Sequence, residues 1–176
     1  MLTTNTVSDG ASSAFTSLID STYDVYIFKW NAVNPATDQA YFTFQCSTDG
    51  GSNYNTTLTS TYCQAYHSEN DSSSGLGYDT GKDQGQGTAY QKISIVGIGN
   101  LADECGVGEL HLFAPSSTTY VKHYYSRTQI YKQDNETAEC FTSGYYNTTS
   151  AIDAINFKMD TGNFDGTIKM YGISKT

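Results

Sequence analysis

A chain of 176 residues is ample for one domain and tight for two, and 15 Tyr with 8 Phe concentrate a modest 38% hydrophobic content in rings large enough to build a core. Gly, Ser, Thr, Asn, Asp and Tyr dominate while the helix formers Glu, Leu, Lys and Arg are scarce, which disfavours helix nearly everywhere. A formal net charge of -9 argues against nucleic acid and anionic membrane as partners.

Met1 opens a polar, Thr/Ser-rich stretch with neither a basic nor an apolar signal region, so no signal peptide is expected, and residues 1–12 read as an N-terminal arm. No run approaches the ~20 apolar residues of a spanning helix. Ten short strands are expected, the first at residues 14–18. In Tyr23-Asp24-Val25-Tyr26-Ile27-Phe28-Lys29-Trp30 the period is two, with Tyr26, Phe28 and Trp30 on one face. After the Asn34-Pro35 turn, residues 40–47 place Phe42, Phe44 and Cys46 on one face and Tyr41, Thr43 and Gln45 on the other. Thr48-Asp49-Gly50-Gly51-Ser52-Asn53 reads as a hairpin-type turn rich in residues that accept positive φ. The remaining strands are expected at residues 60–67, 88–96, 108–114, 119–126, 138–146, 152–159 and 166–173. Such a series, with no helical period between its members, predicts an all-β antiparallel sandwich of the jelly-roll kind, residues 1–176 forming one domain.

Residues 69–87 form a polar, Gly-rich surface loop, where function tends to sit. Its carboxylates Glu69, Asp71, Asp79 and Asp83 are calcium candidates by ligand type, set against the plainer reading of solvated acids, and no EF-hand spacing is present. Cys46, Cys63, Cys105 and Cys140 lack the paired spacing of a zinc or redox motif and read as reduced, buried small hydrophobes. His67, His111 and His123 read as ordinary strand residues with no nucleophile motif beside them, so no catalytic residue and no cofactor are assigned. Tyrosines remain in excess of one core. Tyr66, Tyr78, Tyr90, Tyr124 and Tyr145 are the binding-surface candidates, because a rigid ring with a polar tip suits both protein contacts and sugar stacking.

Several strings carry a resemblance. They are Ile19-Asp20-Ser21-Thr22-Tyr23, Asn34-Pro35-Ala36-Thr37-Asp38, Ser47-Thr48-Asp49-Gly50-Gly51-Ser52-Asn53-Tyr54-Asn55, Ala65-Tyr66-His67 and Gln86-Gly87-Thr88-Ala89-Tyr90. Downstream come Pro115-Ser116-Ser117-Thr118-Thr119-Tyr120-Val121-Lys122-His123, Asn147-Thr148-Thr149-Ser150-Ala151-Ile152-Asp153 and Gly162-Asn163-Phe164-Asp165-Gly166-Thr167-Ile168-Lys169-Met170-Tyr171-Gly172. In these the chain resembles compact β-sandwich domains of structural proteins in marine tailed bacteriophages. The resemblance implies a virion protein assembled in the host cytoplasm: a surface-exposed capsid decoration, knob or spike subunit without catalytic activity, contacting major capsid or tail proteins. The alternative it leaves open is the receptor-binding tip of a tail or head fibre that holds a host surface polysaccharide. Closed cyclic symmetry is the norm for such oligomers, and a homotrimer is the expected form.

Overall fold

The computed structural model describes residues 1–95 and 97–174 and folds them into twelve strands, with no helix among the described residues and hence none able to cross a membrane. In chain order these are β1 (Thr3–Gly10), β2 (Ser13–Phe15), β3 (Tyr23–Pro35), β4 (Phe42–Ser47), β5 (Leu58–Ser68), β6 (Ser74–Tyr78), β7 (Gln91–Lys92), β8 (Gly106–Phe113), β9 (Lys122–Lys132), β10 (Glu136–Tyr146), β11 (Ala154–Met159) and β12 (Phe164–Ser174). Eight form one sheet in the order β1-β12-β3-β8-β9-β10-β5-β6, and four form a second in the order β2-β11-β4-β7. All pairings between strands are antiparallel. The chain passes back and forth between the sheets except through the β5-β6 hairpin and the meander β8-β9-β10.

The alternation of rings decides which surfaces meet. Tyr26, Phe28 and Trp30 of β3 and Phe42, Phe44 and Cys46 of β4 are all buried, as their spacing predicts. Phe157 of β11 sits among five other rings, with centroids 5.6 Å from Phe28, 5.9 Å from Phe42, 6.1 Å from Trp30, 6.2 Å from Phe44 and 6.3 Å from Phe15. Each such ring contributes roughly 1.5–3 kcal/mol by leaving water, and edge or offset pairs add about 0.5–1.5 kcal/mol. Under β5, β9 and β10 the interior changes character. There Leu58, Ile130 and Ala138 are joined by the buried polar side chains Ser60, Tyr62, Tyr124, Ser126, Thr128, Thr142 and Tyr146, beside Cys46 and Cys140. A fully buried Lys122 joins them, its Nζ donating to the Thr148 carbonyl at 3.2 Å.

Several expectations are corrected. The arm at residues 1–12 contains β1, an edge strand paired with β12 from Thr3↔Met170 to Gly10↔Phe164. The surface loop at residues 69–87 contains β6, paired with β5 through Cys63↔Tyr78 and His67↔Ser74. The strand expected at residues 88–96 shrinks to β7, and Val96 lies outside the described residues. β4 is buried on both faces rather than one. Its second face is covered because Gln45 Nε2 donates to the carbonyls of Thr88 and Ala89 at 3.1 and 3.0 Å, while Thr43 Oγ1 donates to the Lys158 carbonyl at 2.8 Å.

The Gly50-Gly51 turn has the expected chemistry, with φ of 71° and 85°, but it carries the chain from β4 in one sheet to β5 in the other rather than closing a hairpin. Asp49 organises it by accepting from Asn53 Nδ2 at 2.7 Å, Ser47 Oγ at 2.6 Å and Asn53 N at 2.9 Å, and these donors hold its pKa at about 2 against an ordinary 3.8. A carboxylate depressed in the folded state stabilises it above the ordinary pKa and loses that contribution as pH falls through the folded value. A carboxyl NMR titration should therefore place Asp49 near pH 2, and Asp49→Asn should flatten the acid limb of stability between the two values. A midpoint at the ordinary 3.8 would contradict this account.

Candidate functional site

The outward face of the eight-stranded sheet lines up side chains in rows across the strands, because in-register antiparallel partners share a face. One row runs from Ile27 to His111, Tyr125, Ser143 and Thr61, across β3, β8, β9, β10 and β5. The next runs from Lys29 to Glu109, Arg127, Phe141, Cys63 and Tyr78, ending on β6.

At one end of these strands the rings of Phe113, His123, Tyr125 and Tyr145 wall a groove of roughly 360 Å³ whose floor is Thr61, Ser143 and Gly144. His111 and Tyr125 are stacked, with centroids 4.5 Å apart and planes at 19°, and Phe113 stands 5.6 Å from Tyr125. Across the groove, the centroids of His123 and Tyr145 are 6.2 Å apart. The floor hydroxyls of Thr61 and Ser143 lie 2.9 Å from each other. Thr61, Tyr125 and Ser143 also line a second groove of roughly 500 Å³ that continues toward Phe141 and Arg127.

Charges beside these grooves are paired internally. Lys29 Nζ lies 3.1 Å from Glu109 Oε2, His111 Nε2 lies 3.1 Å from Glu109 Oε1, and Arg127 bonds Glu139 while sitting 5.6 Å over the Phe141 ring. Partial burial pushes the Glu109 carboxyl up, but Lys29 and His111 outweigh it and hold the pKa below the ordinary value. At the opposite end of β5, the β6 edge forms an apolar corner: Leu76 is 80% exposed, Tyr78 51% and Phe141 43%.

No family model and no curated protein matches this chain.

Of the five tyrosines expected to form a binding surface, two line the ring-walled groove, Tyr145 as a wall and Tyr124 almost wholly buried beneath it. Tyr78 stands on the same face at the β6 edge, bonded to Asp83. Tyr66 is half-buried against the core, in space that Gly75 leaves open: a Cβ there would fall 2.7 Å from its ring. Tyr90 lies over the small sheet, accepting from Asn156 Nδ2 at 3.0 Å with Lys158 above its ring. Tyr124 is a correction. It is 2% exposed and meets Phe44 edge-on at 5.0 Å, because its parity on β9 is that of Ile130, whereas Tyr125 shares the outward parity of Arg127 and Gln129. That alternation was the signal that could have identified Tyr125, and with it the neighbouring His111, Phe113 and His123.

The calcium candidates are dealt out to separate partners rather than gathered. Asp79 is tied to Lys82 and to the Gly81 amide, Asp83 to Tyr78, and Asp71 to His67 at 3.2 Å. Among the described residues no three His, Cys, Asp or Glu side chains converge on a metal position. All four cysteines are free thiols. Burial pushes the Cys46 thiol up to about 12 and that of Cys140 to about 11, the opposite of activation. What this face offers is rings, hydroxyls and paired charges, the chemistry of reversible contact.

Proposed function

We propose that this chain is a non-catalytic structural protein of a tailed-phage virion, displayed as a decoration, knob or spike subunit in a homotrimer that docks on major capsid or tail proteins. The sequence strings that resemble such domains support the virion origin, and the all-β sandwich is compatible with it. The observation that carries the docking is the apolar corner at the β6 edge. Leu76, Tyr78 and Phe141 expose large side chains together at one margin of the sheet, where an edge strand also leaves backbone groups open to a partner. Large apolar side chains exposed near a sheet edge mark contact sites, and aromatic anchors carry most of the energy of such contacts.

Leu76→Glu and Phe141→Glu should each reduce the copies retained on purified particles by roughly tenfold or more. The measurement is quantitative mass spectrometry of gradient-purified virions, with thermal inactivation of the particles as a second readout. Retention at wild-type copy number in both variants would discard docking through this corner. Light scattering that gives a monomer at micromolar concentration, together with monomeric density on particles, would discard the trimer.

A second reading, adhesion to a host surface polysaccharide as a fibre tip, is favoured by the ring-walled groove. It is centred nearer the Tyr145 end of the strands than the docking corner, and the two surfaces adjoin at Phe141, which lines the neighbouring groove.

A further inference from the structure

We infer that the groove between Phe113, His123, Tyr125 and Tyr145 is a binding site for an uncharged saccharide. This rests on the adhesion reading and gives it a site and a ligand class. A hexose ring is amphipathic in the same sense as the groove: its C–H faces are apolar patches the size of an aromatic ring, and its edge is a belt of hydroxyls. The walls supply the first complement. Tyr125 is backed by the nearly parallel His111 ring, so it is held upright rather than free to lie flat on the sheet. Its own exposure is 44%, leaving an open flank for a second ring-sized partner.

The floor supplies the second complement. Thr61 and Ser143 are 2.9 Å apart, and the hydrogen bond between them uses the proton of one hydroxyl, leaving the pair one free O–H donor and acceptor lone pairs on both oxygens. The groove volume, roughly 360 Å³, falls within the ~300–1,000 Å³ typical of ligand sites. Because Thr61, Tyr125 and Ser143 also line the second groove, the surface runs on over the rows toward Phe141. Successive rows lie two residues apart along the strands, about 6.6 Å. That continuity suits an oligosaccharide rather than a single sugar.

Charge selects among glycans. The cations near the groove, Lys29 and Arg127, are each spent on a carboxylate, Glu109 and Glu139 respectively. With a net charge of -9 around them, an anionic polysaccharide meets repulsion, and these two paired cations do little to offset it. An uncharged one meets neither penalty. Affinity per site is modest in such open grooves, and display in several copies raises the strength of attachment.

The test is binding of the purified full-length chain to an array of uncharged oligosaccharides, including gluco-, manno- and galacto-oligomers, with uronate and sulfated oligomers alongside. Binding to at least one uncharged class, with Tyr125→Ala and Tyr145→Ala each weakening it by roughly tenfold, is the expected result. Leu76→Ala, at the docking corner, should leave it unchanged, and a thermal melt of each variant separates lost contact from lost fold. No binding to any uncharged class, preference for the acidic oligomers, or binding indifferent to both tyrosine variants overturns the proposal. Particle attachment does not enter this measurement. A saccharide-binding chain that fails to attach to virions would sink the docking proposal alone, and an attached chain that binds no sugar would sink this one alone.

Discussion

Replacing Phe157 by alanine is expected to destabilise the protein by about 3–5 kcal/mol, the usual consequence of deleting a large buried ring. For a chain of this size that corresponds to a fall in melting temperature of roughly 6–20 °C. The effect is placed at the upper end of core substitutions because Phe157 contacts rings from both sheets: Phe42 and Phe44 beside it on β4, Phe15 on β2, and Phe28 and Trp30 across the interface on β3. Its removal opens a cavity at the point where the sandwich is held together, and five large neighbours cannot all collapse into it. Phe141→Ala, a ring of equal size on the outer face, provides the control, since exposed substitutions usually stay within about 0.5 kcal/mol. Equal melting shifts for the two variants would show that ring burial between the sheets is not what stabilises the fold.

Gly108→Ala should destabilise by about 1–3 kcal/mol although it adds a single methyl group. The glycine lies between Trp30 on β3 and Thr128 on β9 in the pairing register. A Cβ there would stand 2.4 Å from the Arg127 carbonyl oxygen and 2.7 Å from Trp30 Cζ2. The carbonyl belongs to the β8-β9 ladder and cannot withdraw without loss of pairing, so the tryptophan must move. Trp30 is the single tryptophan of the chain, so its fluorescence reports the displacement directly. The expected result is a changed emission spectrum together with a lower denaturation midpoint. Gly77→Ala serves as the control, because a Cβ at that site on the edge strand meets nothing within 4 Å. An unchanged spectrum and midpoint for Gly108→Ala would mean that the strands separate more easily than this packing implies.

Both substitutions concern positions whose importance was unevenly legible beforehand. Phe157 lies within an expected strand, at residues 152–159, and its strand is buried on both faces. Gly108 begins another expected strand, but nothing local tells that its missing side chain makes room for a tryptophan 78 residues earlier in the sequence. The candidate site divides in the same way. In Tyr124-Tyr125 one ring must face inward and the other outward, and adjacency alone does not say which. The inward row of β9 carries Lys122, Ser126 and Thr128 as well as Tyr124 and Ile130, so polarity alone gives a weak answer. Tyr124 was expected at a surface, and it went with Tyr62 and Tyr146 into the hydroxyl-bearing half of the core.

The sequence by itself determined the all-β class, the period-two placement of rings on β3 and β4, and the turn at Gly50-Gly51, because these depend on the geometry of a few consecutive residues. Only the tertiary structure decided that β1 and β6 extend the large sheet, that the Gly50-Gly51 turn joins two sheets, and that Phe113, His123, Tyr125 and Tyr145 converge. Those outcomes depend on which strand pairs with which and in what register. Amphipathic tyrosines pack on either side of a sheet, so their burial is set by partners distant in the chain rather than by their neighbours along it.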